Sequence, residues 1–357
     1  MNYKFFTIQN YPSKVLVDLL KKNVIGTPGQ SMLYQHLEVQ KKIDCISDPY
    51  YVNLSKGDDI LGTCCFCSRD TWNSNKFIPS FYLRYFTFKS NYRTKVKPAS
   101  NNKNKESLLR KEIVELLSGE GLGARAVGSF FYYAYVDPEN YRSALLCNEF
   151  GFDPVRKFST IIFHRMSPKK NVNIEKVSAS QVPHVKEILS SFYKGYNMFS
   201  FENLFRLSDY YVVRDIDGNI VAGAQATPDK WKVIELPGIS GKIILNLFSS
   251  LPLLNKLIKK DYKFITLEGI YVTPGNEIAL EQLFEALLNI HNKNSAMLWL
   301  DKDTELYHTV KSLKLGVLSK INKEVTANVI CKFQNIGNAN QIIFKNNPAY
   351  ISGIDLT

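Results

Sequence analysis

The chain runs twice through one order of elements: strand, helix, hairpin, strand, helix, strand, helix, strand. The order repeats without repeated letters. Such a plan calls for sheets whose faces are covered by the helices between their strands. In the first half, YKFFTI is read as a strand and SKVLVDLLKKNV as a helix. YYVNL and ILGTCCFCS form a hairpin, and a long strand follows over Phe81–Phe88. A basic, Asn-rich stretch, Lys89–Glu106, cannot pack a core and is read as a loop. The next helix carries Leu108, Leu109, Ile113, Leu116 and Leu117 at helical spacing. Tyr132–Arg165 then reads as a buried strand, a helix opened by Asn140, a stop at Gly151-Phe152 and another strand.

The second half repeats this from NIEKVS onward. It has a helix in VPHVKEILSSFYKGY, a hairpin across Asp217-Gly218 and a strand over Phe264–Val272. It departs by inserting a helix near 241–260 before that strand. A polar, Pro-containing joint at Met166–Asn173 separates the halves. The expectation is an α+β fold of two tandem domains, 1–168 and 172–357. Each is a mixed, mostly antiparallel sheet flanked by helices.

A chain of 357 residues, 45% apolar and 13% aromatic, can bury two cores, which excludes global disorder. The net charge of +12 suits a nucleic acid, an anionic membrane or a polyphosphate ligand, or simply a solvated Lys-rich surface. No basic-aromatic stripe concentrates on one helix, which argues against nucleic acid. Cys64, Cys65 and Cys67 lie in an apolar run and lack the second ligand pair a zinc site wants, so they read as strand and no metal is expected. The N-terminus has no apolar signal-peptide core. Ile243–Asn255, the most apolar stretch, has 13 residues, short of the ~20 that span a bilayer. A cytoplasmic location without membrane contact is expected.

Asn140, Ser143, Cys147 and Gly151-Phe152 resemble the last-helix pattern N-x-x-A-x-x-x-Y-x-x-x-G-F of the GNAT acetyltransferase superfamily. The resemblance implies acetyl-CoA, or another acyl-CoA, held where two central strands splay apart. Its pyrophosphate would rest on a loop that opens the following helix, where unpaired N–H groups favour an anion. On that likeness the cofactor-binding candidates are Phe86, Phe88, Arg93, Thr94, Lys95, Val96, Lys97 and Asn140. Arg93 matches the first position of the loop pattern. Val96 and Pro98 replace its two glycines, and the Lys residues offer charge instead. Cys147 stands where the superfamily often has a Tyr acid, and Tyr141 offers a nearby hydroxyl. The base position on the first long strand is Arg84. On the second it is Glu268, which the resemblance makes the candidate to take a proton from an unidentified amine acceptor. The expected function is acyl transfer from acyl-CoA to that amine by direct attack. Two alternatives stand beside it: a non-catalytic binding or scaffold protein of the same fold, and a transferase similar to the aminoacyl-tRNA-dependent peptidoglycan enzymes.

Overall fold

The computed structural model describes residues 3–57, 59–89, 108–171, 173–236, 260–316, 319 and 324–356. The candidates Arg93, Thr94, Lys95, Val96 and Lys97 lie outside the described residues, as does the inserted helix read near 241–260 up to residue 259.

In the first half the strands are β1 (Phe6–Gln9), β2 (Leu33–His36), β3 (Pro49–Lys56), β4 (Asp59–Asn73), β5 (Lys76–Phe88), β6 (Phe130–Val136) and β7 (Asp153–His164). The second half supplies β8 (Ile174–Lys176), β9 (Tyr210–Arg214), β10 (Ile220–Glu235), β11 (Asp261–Val272), β12 (Ser295–Asp301) and β13 (Val325–Gln334). The mixed, mostly antiparallel pairing expected of each half is present. Yet the thirteen strands of the described residues form one sheet, ordered β1-β3-β4-β5-β6-β13-β7-β12-β11-β10-β9-β8, with β2 paired to β10.

An exchange fuses the halves. β7 ends the first half but pairs with β12 of the second. β13 ends the second half but pairs with β6 of the first, and β7 and β13 pair with each other. Each exchanged strand thereby buries an edge that would otherwise offer unpaired backbone groups.

The exchange also makes one core common to both halves. One sheet face carries Cys65, Tyr82, Phe131, Phe158, Phe264, Met297 and Cys331 in a single cluster. It is covered by α1 (Lys14–Lys21), α2 (Val39–Asp44) and α8 (Asn338–Asn346), through Leu16, Leu20, Ile43 and Phe344. The opposite face stays divided. α3 (Leu108–Leu117) and α4 (Tyr141–Glu149) cover the first half. α5 (Val182–Phe192), α6 (Glu277–Ile290) and α7 (Glu305–Ser312) cover the second.

Local chemistry sets the ends of these elements. Ser13, Asn140 and Thr304 cap α1, α4 and α7 by accepting from Leu16, Ser143 and Tyr307 backbone N–H groups. Gly151 leaves α4 at φ 78°, a conformation in which a Cβ is costly. Ser74 and Asn75 turn the β4–β5 hairpin with φ of 47° and 73°, the left-handed pair that matches strand twist.

Candidate active site

Each half opens its sheet at one place. β5 and β6 pair in parallel only over Ser80–Tyr82 against Phe131–Tyr133. β11 and β12 pair only at Ile265–Thr266 against Ala296–Met297. Both long strands bulge just beyond. The β4–β5 register shifts between Thr63 and Cys65, and Tyr85 has φ 58°. The β10–β11 register shifts between Gly223 and Gln225, and Gly269 has φ 60°. A bulge bends its strand and re-aims the side chains beside it. The residue immediately before each bulge is Arg84 in the first half and Glu268 in the second.

Both residues reach one short helix, α9 (Gly353–Leu356). Arg84 Nη2 donates to the Ile354 carbonyl at 3.2 Å. The Ile354 N–H donates to Glu268 Oε2 at 3.3 Å, and the Tyr350 hydroxyl donates to Oε1 at 3.1 Å. Asp355, next along, is held by both terminal nitrogens of Arg69 from β4, with Nη2 to Oδ1 at 2.6 Å. Asn203 Nδ2 adds a bond to Asp355 Oδ1 at 3.0 Å and one to Ser352 Oγ at 2.7 Å. Arg69 also donates to the Tyr133 hydroxyl at 3.1 Å, and Tyr82 donates to the Asp355 carbonyl at 3.2 Å. The network is buried: Glu268 is 3% exposed, Asp355 4% and Arg69 6%.

Burial dominates the electrostatics. It pushes the Glu268 carboxyl up to about 7, helped by the nearby Asp355 charge and opposed by the bonds from Ser352, Ile354 and Tyr350. Burial also brings the Lys42 ammonium down to about 8, against the pull of its ion pair with Asp229. A cleft of about 60 Å³ opens beside the network, walled by Lys42, Cys67, Arg69, Arg84, Asn203 and Asp229 among others. A smaller hollow shares Arg69, Glu202 and Asn203 with it and reaches Glu268 and Tyr350.

The two openings are not equivalent. In the second half, the bulge carbonyls of Gly269 and Ile270 accept from the Tyr210 and Tyr193 hydroxyls at 2.6 Å and 2.5 Å. The notch itself holds α9. A Cβ on Gly353 would lie 2.7 Å from Thr266 Cγ2 and 2.9 Å from Trp299 Cε3, so the backbone is seated between β11 and β12. Gly353→Val should therefore cost about 1–3 kcal/mol, the usual penalty of overpacking. The loss shows in chemical denaturation. A midpoint unchanged from the parent would mean that α9 is not seated in the notch.

The sequence candidates fall in different places. Glu268 is in the shared network. Phe86 and Phe88 lie at the end of β5 with rings 5.2 Å apart, Phe86 being half exposed. Asn140 caps α4 through Oδ1 at 3.2 Å from the Ser143 N–H. Cys147 packs behind the sheet against the outer core of the first half, and burial pushes its thiol up to about 11. Tyr141 is exposed on the first turn of α4. The face that carries Cys147 is opposite the one that carries the Glu268 network. Arg69, Asn203, Tyr350 and Asp355 were not singled out from the sequence. The apolar run Ala349-Tyr350-Ile351 after Pro348 is a signal from which a buried C-terminal segment could have been read.

No family model and no curated protein matches this sequence. Solved structures do. Saccharomyces cerevisiae N-myristoyltransferase with bound myristoyl-CoA matches in two structures, both at 11% identity. One has a TM-score of 0.58 over 98% of this chain and 89% of that one; the other has 0.57 over 98% and 85%. A GCN5-related N-acetyltransferase from Anabaena variabilis matches at 10% identity and a TM-score of 0.47, over 92% of this chain and 72% of that one. Along nearly its whole length, this chain has a mixed α+β fold like that of N-myristoyltransferase.

Proposed function

We propose that the protein is an N-acyltransferase that moves an acyl group from acyl-CoA to an amine by direct attack. The observation that carries this reading is the convergence on Ile354. Its carbonyl accepts from Arg84, at the edge of the first opening, and its N–H donates to Glu268, in the second half. A donor held in the first opening and a base from the other half would thus meet across one residue.

Several features support the donor side. The β5–β6 opening is the one not filled by α9. Phe86 and Phe88 offer apolar surface beside it, and the Lys-rich stretch that follows β5 supplies charge suited to a pyrophosphate. The amine would enter through the cleft beside Arg69, Asn203 and Asp229. Glu268, with a carboxyl near 7, is partly ionised at neutral pH and suited to accept the amine proton as the nitrogen attacks the thioester. Backbone N–H groups at the bulged β5 edge would face the developing oxyanion. Cys147, half-buried on the other face, is left a packing role in this scheme. Asn140 positions α4.

Calorimetry tests the reading first. Acetyl-CoA and myristoyl-CoA should each be titrated into the folded protein. Binding of either, with one site per chain, is the expected result. No heat with both would end the acyltransferase reading. Thiol release in the presence of an amine panel then separates enzyme from binding protein, since a scaffold binds without turning over.

A further inference from the structure

Glu268 stands back from the opening read as the donor site. It belongs to β11 of the second half, whereas that opening lies between β5 and β6. Both of its oxygens accept hydrogen bonds, from the Tyr350 hydroxyl and the Ile354 N–H. A carboxylate so enclosed takes a proton only from a group within hydrogen-bond reach, or through one bridging water. The small hollow beside Glu268 supplies such a route. It measures about 10 Å³, close to the room one water needs. Its wall also includes Tyr133, Tyr135, Ser200, Tyr350 and Ser352.

Tyr135 ties that hollow to the first opening. β5 and β6 last pair at Tyr82 against Tyr133. Tyr135 is the next β6 residue on the same face, so it stands where the two strands part. Its ring is held 5.2 Å from that of Tyr82, 6.1 Å from that of Tyr133 and 5.1 Å from that of Phe158. The other two phenols of the hollow are engaged: Tyr133 accepts from Arg69, and Tyr350 donates to Glu268. Among the described residues, no hydrogen bond engages the Tyr135 hydroxyl. Burial, with Tyr133 and Asp355 nearby, pushes its pKa well above that of an ordinary phenol, so it stays neutral. A neutral phenol has one proton to give and lone pairs to accept another. Those are the two functions of a relay.

We propose that Tyr135 relays the amine proton to Glu268, a step that rests on the acyl-transfer reading above. The amine nitrogen forms its bond to the thioester carbonyl carbon. One N–H proton passes to the Tyr135 oxygen, and the Tyr135 hydroxyl proton passes through one water in the hollow to Glu268. Tyr135 begins and ends neutral, and Glu268 ends protonated. The carbon–sulfur bond of the donor breaks, and its electron pair leaves on the donor sulfur. Glu268 then returns its proton to solvent and the thiolate takes one from solvent, so the protons balance. The relay lets a base in one half serve a donor held in the other.

The test compares the parent, Tyr135→Phe, Glu268→Gln and the double variant as full chains, with acetyl-CoA and the best amine of a panel. Tyr135→Phe should lower transfer by about 10²–10³-fold while acyl-CoA binding, read by calorimetry, stays within about twofold. It should also lose the rise in rate through pH 7 that Glu268 confers. The double variant should be no more than about threefold slower than the slower single, because both residues act on one proton. A parental rate or an intact pH limb in Tyr135→Phe would overturn the relay alone, as would losses that multiply in the double variant. A parent that transfers to no amine would remove the acyl-transfer reading, and the relay with it. Thermal unfolding of each variant separates a lost hydroxyl from a lost fold.

Discussion

Glu268→Gln should lower acyl transfer by about 10²–10⁴-fold while leaving acyl-CoA binding within about twofold of the parent. The substitution removes the proton acceptor and little else. The Gln carbonyl can still accept from the Ile354 N–H, and its amide can donate to the Tyr350 oxygen. The pH dependence gives a second readout. A base must be ionised, so the parent's rate should rise as pH increases through about 7 and level off above it. The variant should lose that limb. Stability moves the opposite way. The folded carboxyl binds its proton up to about 7, whereas the unfolded one releases it near the ordinary glutamate value of 4.5. Between those values the native state holds more protons, so stability falls as pH rises. The ionised, buried carboxylate then costs on the order of 3 kcal/mol above pH 7. Glu268→Gln should flatten this decline and raise the melting temperature at pH 8. A variant that transfers at the parental rate would remove Glu268 from the chemistry. A melting temperature with the parental pH profile would show that its carboxyl is not held near 7.

Much of the fold was legible because hydrophobic period reports what a segment is. The strand at Phe264–Val272, the helix opened by Asn140 and the hairpin at Asp217-Gly218 all stand where alternation, capping and turn chemistry put them. Period says nothing of which strand lies beside which. The alternation of VTANVICKF suits β7 or β6 equally, so the exchange that makes one sheet out of two could not be read from it. Glu268 was visible because its strand position and residue type coincide. Its counterpart bulge in the first half was hidden. Gly269 advertises a positive φ, but Tyr85 does not, and a tyrosine adopts that conformation only where its surroundings hold it there. Here the Arg84 guanidinium lies 4.7 Å from the Tyr85 ring centroid. The C-terminal segment was missed for a related reason. Gly353–Leu356 is one turn of helix, too short to show a period. What seats it are the notch beneath Gly353 and an ion pair to Arg69, 286 residues away in sequence.

That ion pair carries the largest expected effect on stability. Arg69 belongs to the first half and Asp355 to the C-terminal helix, and both are nearly inaccessible to water. Burying two charges is expensive, and their attraction repays the cost only while both are present. Arg69→Met should leave the Asp355 carboxylate with Asn203 as its remaining side-chain donor and cost about 3–5 kcal/mol. Asp355→Asn should cost a similar amount by leaving the guanidinium bound to the Tyr133 hydroxyl and a neutral amide. The double variant should recover much of either loss, since no buried charge is then stranded and a methionine fills the arginine's volume with apolar atoms. Urea unfolding of the four proteins measures the coupling. Hydrogen exchange locates it. In either single variant the amides of Ile354 and Asp355 should lose protection before those of β4, because this pair joins the short α9 to β4, while the notch, Glu268, Arg84, Tyr82 and Asn203 hold it elsewhere. Single substitutions costing less than about 1 kcal/mol would place the pair in the class of solvated surface bridges. A double variant as unstable as the sum of the singles would show that the two charges do not act on each other. With α9 loosened, the residue that joins Arg84 to Glu268 goes with it. Transfer activity should therefore fall in both single variants and return, in part, in the double.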